Sequence, residues 1–193
     1  MLSSFDLYTI KLWSIIMKKS SLENFYEIFE SIVIALLVII ILVVFAFRTV
    51  TVDGQSMEPN FHHSDKLITT NIFYKAEKGD IVVIDKNNIL GKPVIKRVIA
   101  TEGDTVRYEC STGNVYVNGE KLDEDYILID NSPNPYTEDI ETTISDGYIF
   151  VMGDNRNNSN DSRNGEIGQI NEKNILGKAL LRIYPFNNIG VIR

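Results

Sequence analysis

Cysteine occurs once in this chain, at Cys110, and histidine only twice, as the adjacent His62 and His63. A lone cysteine excludes an internal disulfide and any cysteine-rich metal centre. The histidine pair, with Asp65 nearby, falls short of the three or four converging ligands that a usable metal site needs, so solvated loop residues are expected there. Basic residues are also in deficit: 19 Lys and Arg stand against 26 Asp and Glu, a net charge of −7, which leaves no basic stripe for nucleic acid. The Asn/Asp-rich stretch 154–165 lacks the pattern of a calcium loop. Arg156 stands at loop position three, Ser159 where the sharp-turn glycine belongs, and Gly165 in place of the bidentate Glu. Internal repeats and low-complexity linkers are absent, and no cofactor or metal is expected.

What the chain has in excess is a 16-residue apolar run, 32–47, free of charge, Gly and Pro. At 1.5 Å per residue it covers ~24 Å of a hydrocarbon core about 30 Å thick. Ile28, Phe29 and Ser31 before it and Thr49 and Val50 after it extend it to a bilayer-crossing length. No polar stripe marks it as a buried core helix. Its exit, Phe45-Ala46-Phe47-Arg48, lacks the small-residue pair of a cleavable leader, so an uncleaved anchor is expected over 28–50. Lys11, Lys18 and Lys19 precede the run and Arg48 alone follows closely, which places segment 1–27 in the cytoplasm and 51–193 outside the cell membrane. Met17-Lys18-Lys19 reads as a chain start as readily as Met1 does.

Beyond Arg48 about 145 residues remain, enough for one domain with a real core, and from Arg48 onward the chain carries 16 basic and 22 acidic residues. Strand signals dominate. Gly79-Asp80 opens Ile81-Val82-Val83-Ile84, Pro93 precedes the run 94–100, and Val115-Tyr116-Val117 ends in Asn118-Gly119, a two-residue hairpin signal. Runs 148–152 and 179–184 are further β-rich segments. The expected class is mainly β: a single N-terminal transmembrane helix, then a coiled antiparallel, barrel-like sheet domain. Region 107–145 reads as the most loop-rich, with Asn131-Ser132-Pro133-Asn134-Pro135 an irregular excursion.

Three segments offer chemistry. Ser56 sits in Val52-Asp53-Gly54-Gln55-Ser56-Met57-Glu58-Pro59, Lys96-Arg97 lies 40 residues on, and Gly153-Asp154-Asn155-Arg156 leads to Ser159, Asp161 and Arg163. A serine hydroxyl needs a base to take its proton as it attacks, and with no histidine in a comparable motif Lys96 is the candidate. A free lysine near pKa 10.4 is only ~0.04% neutral at pH 7, so such a base must be buried among apolar groups. Alternation on the strand puts Val94, Lys96 and Val98 on one face and Ile95, Arg97 and Ile99 on the other. Each segment alone has a bland reading: a turn hydroxyl, a solvated strand lysine, an exposed Asx-turn loop. Their order behind an apolar anchor resembles type I signal peptidase, a family with a serine nucleophile and a lysine general base.

That resemblance implies roles. Ser56 matches the nucleophile and supplies a backbone N–H to the oxyanion hole, Lys96 matches the base, and Ser159 matches the serine whose hydroxyl orients the lysine amine. Asp161 and Arg163, with Gly54, Asp154 and Asn155, shape the site. Gly54 stands where some members carry a serine as second oxyanion donor, and Asn60 departs from the threonine frequent after Ser-Met-x-Pro. The scissile segment is expected as an added strand beside 50–53 and 93–95, with Val50, Val52, Asp53, Met57 and Ile95 lining pockets for small residues at −3 and −1. The implied partners are signal peptides of exported preproteins and the lipid bilayer. Two alternatives are an autoproteolytic repressor-type peptidase with the same Ser-Lys pair, against which the anchor argues, and a non-catalytic membrane-anchored β module, against which the joint presence of Ser56, Lys96 and Ser159 argues.

Overall fold

The computed structural model describes Thr9 and residues 21–86, 91–129, 135–136 and 138–192. Most of segment 1–27, including Met17 and the lysines that set the expected orientation, lies outside them, as does most of the excursion 131–135.

The chain divides into two compact units, Met1–Phe45 and Ala46–Arg193. The first is built on helix α1 (Ser21–Ala46), whose segment Glu23–Ala46 spans 24 residues and contains an apolar window with a mean hydropathy of 3.2 that is not buried within the protein. The anchor was expected to reach Val50. Instead the helix stops at Ala46 and strand β1 (Phe47–Thr51) begins at once, paired with β2 (Lys66–Thr70) from Phe47↔Thr70 to Thr51↔Lys66. The physical reason is local: Thr49, Val50 and Thr51 are β-branched and fit a pleated ladder better than a helix.

The second unit carries two antiparallel sheets. The larger adds β3 (Ile81–Ile84), β4 (Val94–Ala100), β9 (Tyr148–Met152), β10 (Ile170–Asn171), β11 (Ile175–Tyr184) and β12 (Gly190–Val191) in the order β1-β2-β11-β3-β4-β9-β10, with β12 on β11. Register shifts on β11 and between Val98 and Ala100 of β4 bend the strands, as bulges do, and coil the sheet. The smaller sheet has the order β7-β6-β5-β8, from β5 (Thr105–Tyr108), β6 (Val115–Val117), β7 (Glu120–Lys121) and β8 (Ile140–Thr143). Region 107–145, read from sequence as the most loop-rich, carries the end of β5 and the short strands β6, β7 and β8, and its other described residues are turns and irregular chain. Asn118 and Gly119, both at positive φ (55° and 84°), make the two-residue turn between β6 and β7.

Three apolar clusters fill the unit. One packs Tyr108, Val115 and Ile144 of the smaller sheet's region against Phe150 and Met152 of β9. Another joins Val52, Met57, Phe61 and Leu67 to Ile81, Val83 and Ile95. The third gathers Val82, Ile84, Val98, Ile149 and Val151, with Val94 partly buried against it. Ile95 and Val94 therefore enter different clusters, and the alternation along β4 places Lys96 on the Val94/Val98 side, its stem among apolar neighbours.

Candidate active site

The turn that carries Ser56 is pinned from beneath by its own neighbour. Met57 is 1% exposed in the cluster around Ile95 and Leu67, and truncating such a side chain costs about 2–5 kcal/mol. Backbone bonds from Glu58 N–H to the Gln55 carbonyl and from Phe61 N–H to the Met57 carbonyl close the turn, at 3.1 and 2.9 Å. The Ser56 carbonyl accepts the Asn155 N–H at 3.0 Å, which joins the turn to the loop after β9.

Lys96 reaches this turn from the middle of β4. Its Nζ lies 2.7 Å from Ser56 Oγ, and the residue is 3% exposed. Burial drives the lysine pKa down from 10.5 to about 8; Asp161 and Asp154 pull it back up, while Arg163 and Lys92 push it further down. At pH 7 an amine of that pKa is roughly one-tenth neutral, against a few parts in ten thousand for a free lysine.

The loop 153–163 is held by buried charge. Burial by itself would raise the Asp161 carboxyl, but the Arg163 guanidinium forks onto it, Nε to Oδ1 and Nη2 to Oδ2 both at 2.8 Å, and holds it below the usual carboxylate range. Asp161 Oδ2 also accepts the Gly153 N–H at 2.9 Å and the Ser159 hydroxyl at 2.7 Å. Here the structure corrects the sequence reading of Ser159. Its hydroxyl bonds Asp161 rather than the Lys96 amine, because an ionised, fully buried carboxylate is the stronger acceptor within reach.

The remaining site residues also lie together. Val50, Val52, Asp53, Gly54, Met57 and Ile95 line one cleft of about 280 Å³ that ends at Ser56 and Lys96, with Asp53 and Lys92 3.9 Å apart at its mouth. Arg97 Nε and Nη2 fork onto Asp154, each at 2.8 Å, in a pair almost wholly withdrawn from solvent. Among the described residues no group of His, Cys, Asp and Glu could hold a metal ion; His63 instead faces Asp53 at 3.4 Å and His62 donates its backbone N–H to Asp65.

Residues 25–184 match the family model for signal peptidase, peptidase S26. The chain belongs to this family. It is 34% identical to signal peptidase I S of Bacillus subtilis over 180 residues, covering 88% of this chain and 95% of that one. It is 35% identical to signal peptidase I of Bacillus licheniformis over 184 residues, covering 89% and 94%. A crystal structure of a signal peptidase I from Enterococcus faecalis V583 is similar at 32% identity, with a TM-score of 0.44 over 54% of this chain and 97% of that one. As a member of this peptidase family the chain is a hydrolase, which sets aside the non-catalytic module, and the family is that of signal peptidases rather than of autoproteolytic repressors.

Several residues of the site were not singled out from sequence. Gly153 permits the closest approach in the centre: a Cβ there would stand 2.3 Å from Ser159 Oγ and 2.5 Å from the Ser56 carbonyl. A glycine directly before an Asp-Asn-Arg run, at the end of an apolar strand, is the signal that could have marked it. Arg156 and Glu124 form a second buried ion pair, and Tyr136 donates its hydroxyl to the Ser159 carbonyl at 2.7 Å. Both partners come from segments that sequence spacing does not bring near the loop.

Proposed function

We propose that the chain is a membrane-anchored serine endopeptidase that removes N-terminal signal peptides from exported preproteins, with Ser56 as nucleophile and Lys96 as general base. The observation that carries the residue assignment is the 2.7 Å approach of a buried, pKa-lowered lysine amine to a serine hydroxyl at the end of a cleft. Neutral Lys96 takes the Ser56 proton as Oγ attacks the scissile carbonyl, and the resulting ammonium returns it to the leaving amine. Water then attacks the acyl ester with Lys96 taking its proton, and as the acyl–Oγ bond breaks that proton returns to Ser56 Oγ, restoring the free serine and neutral Lys96. The Ser56 backbone N–H, without an acceptor among the described residues, is free to bind the oxyanion. Gly54 brings no side-chain donor.

Two free strand edges flank the cleft. β1 is the terminal strand of its sheet, and β9 pairs with β4 only from Arg97 onward, so residues 94–96 have no partner on that side among the described residues. An extended substrate segment fits between them as an added strand, its −1 and −3 side chains facing Val50, Val52 and Ile95. These half-buried and buried branched residues limit the pockets to alanine-sized groups.

The same reading places α1 across the cell membrane, 1–27 in the cytoplasm and the catalytic unit outside, where signal peptides are presented. Tethering raises the effective concentration of enzyme beside substrates that are themselves held at the bilayer. The test is to incubate detergent-solubilised chain with a preprotein whose leader ends in Ala at −3 and −1, and to locate the new N-terminus by mass spectrometry. Cleavage directly after the −1 residue is expected; no cut, or a cut elsewhere, would overturn the reading.

A further inference from the structure

Asn60, four residues after Ser56, ends the nucleophile turn, and its amide nitrogen carries two N–H donors. Both are engaged. One reaches Asp154 Oδ2 and the other the Tyr126 carbonyl, each at 2.7 Å. Asp154 is fully buried and holds Arg97 in the two-point fork, and Arg97 directly follows Lys96 on β4. Tyr126 in turn lays its ring 4.0 Å from the Arg97 guanidinium carbon. The next residue after Asp154, Asn155, holds the Ser56 carbonyl from the other end of the turn.

These contacts form a closed circuit: from Ser56 along the turn to Asn60, across to Asp154, on to Arg97, back one residue to Lys96, and from its Nζ to Ser56 Oγ. We propose that Asn60 is a positioning residue, a two-donor clip that sets the Ser56–Lys96 separation by fastening the nucleophile turn to the Asp154–Arg97 pair and to the Tyr126 segment. This rests on Ser56 and Lys96 being the reacting pair. A side chain with one donor can serve only one of the two acceptors. A carboxylate at 60 would set a second anion against Asp154, one of the two charges that already raise the Lys96 pKa.

The experiment compares the full chain with Asn60→Ala, Asn60→Thr and Asn60→Asp in detergent, on a preprotein substrate, below each variant's unfolding midpoint. Asn60→Ala is expected to lower kcat by about tenfold with KM little changed, since misplacing a reacting group costs rate rather than binding. Asn60→Thr, keeping one bond, should fold and fall between. In Asn60→Asp the pH midpoint of kcat/KM should move up, because Lys96 titrates facing Asp161, Arg163, Asp154 and Lys92, and added negative charge favours its ammonium form. Variants with wild-type kcat and pH midpoint but lowered thermal stability would overturn the clip alone. Equal cleavage by Ser56→Ala would overturn the reacting pair, and the clip with it.

Discussion

Lys96, the proposed general base, is costly to the fold, and its cost and its part in the chemistry can be measured apart. Its folded pKa lies below its unfolded value, so between about 8 and 10.5 the unfolded chain binds more protons, and this residue's contribution to stability rises with pH across that window. Below it the buried amine costs roughly 3 kcal/mol, at 1.36 kcal/mol per pH unit. Lys96→Met should therefore abolish cleavage while unfolding no more readily than wild type at pH 7; a large loss of stability would mean that the amine is held by bonds that offset its burial. Wild-type kcat/KM should climb with pH through a midpoint near 8, and Lys96→Arg should be inactive because a guanidinium cannot accept the serine proton. Gly153→Ala should also inactivate, since its methyl group must displace either Ser159 or the Ser56 carbonyl. Ser56 and Lys96 were legible as a candidate pair because a serine with no histidine in a comparable motif has few possible bases, whereas Asp161 and Arg163 came only from the family resemblance; the structure brings each pair together. Glu124 was not legible, and Gly153 and Asn60 were noticed in the sequence without a role, because their significance lies in distances across the fold.

Individual strands were read more securely than the sheets they form. Strand β3 announces itself by four branched residues after Gly79-Asp80, β4 by branched residues on either side of Lys96-Arg97 after Pro93, and β9 by an apolar run between Gly147 and Gly153, patterns of strands largely covered on both faces. The smaller sheet does not, because β5 alternates Thr and Arg with Val and Tyr over only four positions, β8 has Ile140 as its one aliphatic residue, and β7 is two residues long. The helix end at Ala46 was likewise hidden, since hydropathy continues through Phe47 and Val50 while the ladder with β2 ends the helix. That shift puts Val50 and Thr51, which line the cleft, on a strand edge rather than in a helix. The cleft walls then predict that a preprotein with Ala at −1 is processed and one with Phe is not, overfilling a packed pocket costing about 1–3 kcal/mol. Ile95→Ala should partly restore cleavage of a Leu variant. Equal processing of Ala and Phe by the wild-type chain would remove Val50, Val52 and Ile95 from the substrate site.

At the scale of the molecule the two units pose opposite solvent demands. The 24 residues Glu23–Ala46 present large apolar side chains on every face and bury none within the protein, whereas the unit from Ala46 onward encloses three apolar clusters and carries the excess of acidic charge. A helix of that length rises ~36 Å, more than the hydrocarbon thickness, so it can cross with some tilt. Orientation then rests on the lysines before it, since basic residues near a span resist translocation more than acidic ones favour it. Protease added to intact spheroplasts should digest the unit after Ala46 and leave an epitope placed at the N-terminus protected until the membrane is opened. Replacing Lys11, Lys18 and Lys19 with Gln should weaken this preference and yield a mixed population. If the catalytic unit were instead the protected portion in wild-type cells, Ser56 would face the cytoplasm, away from exported chains, and the assignment to signal-peptide removal would fail at its most basic requirement, access to the substrate.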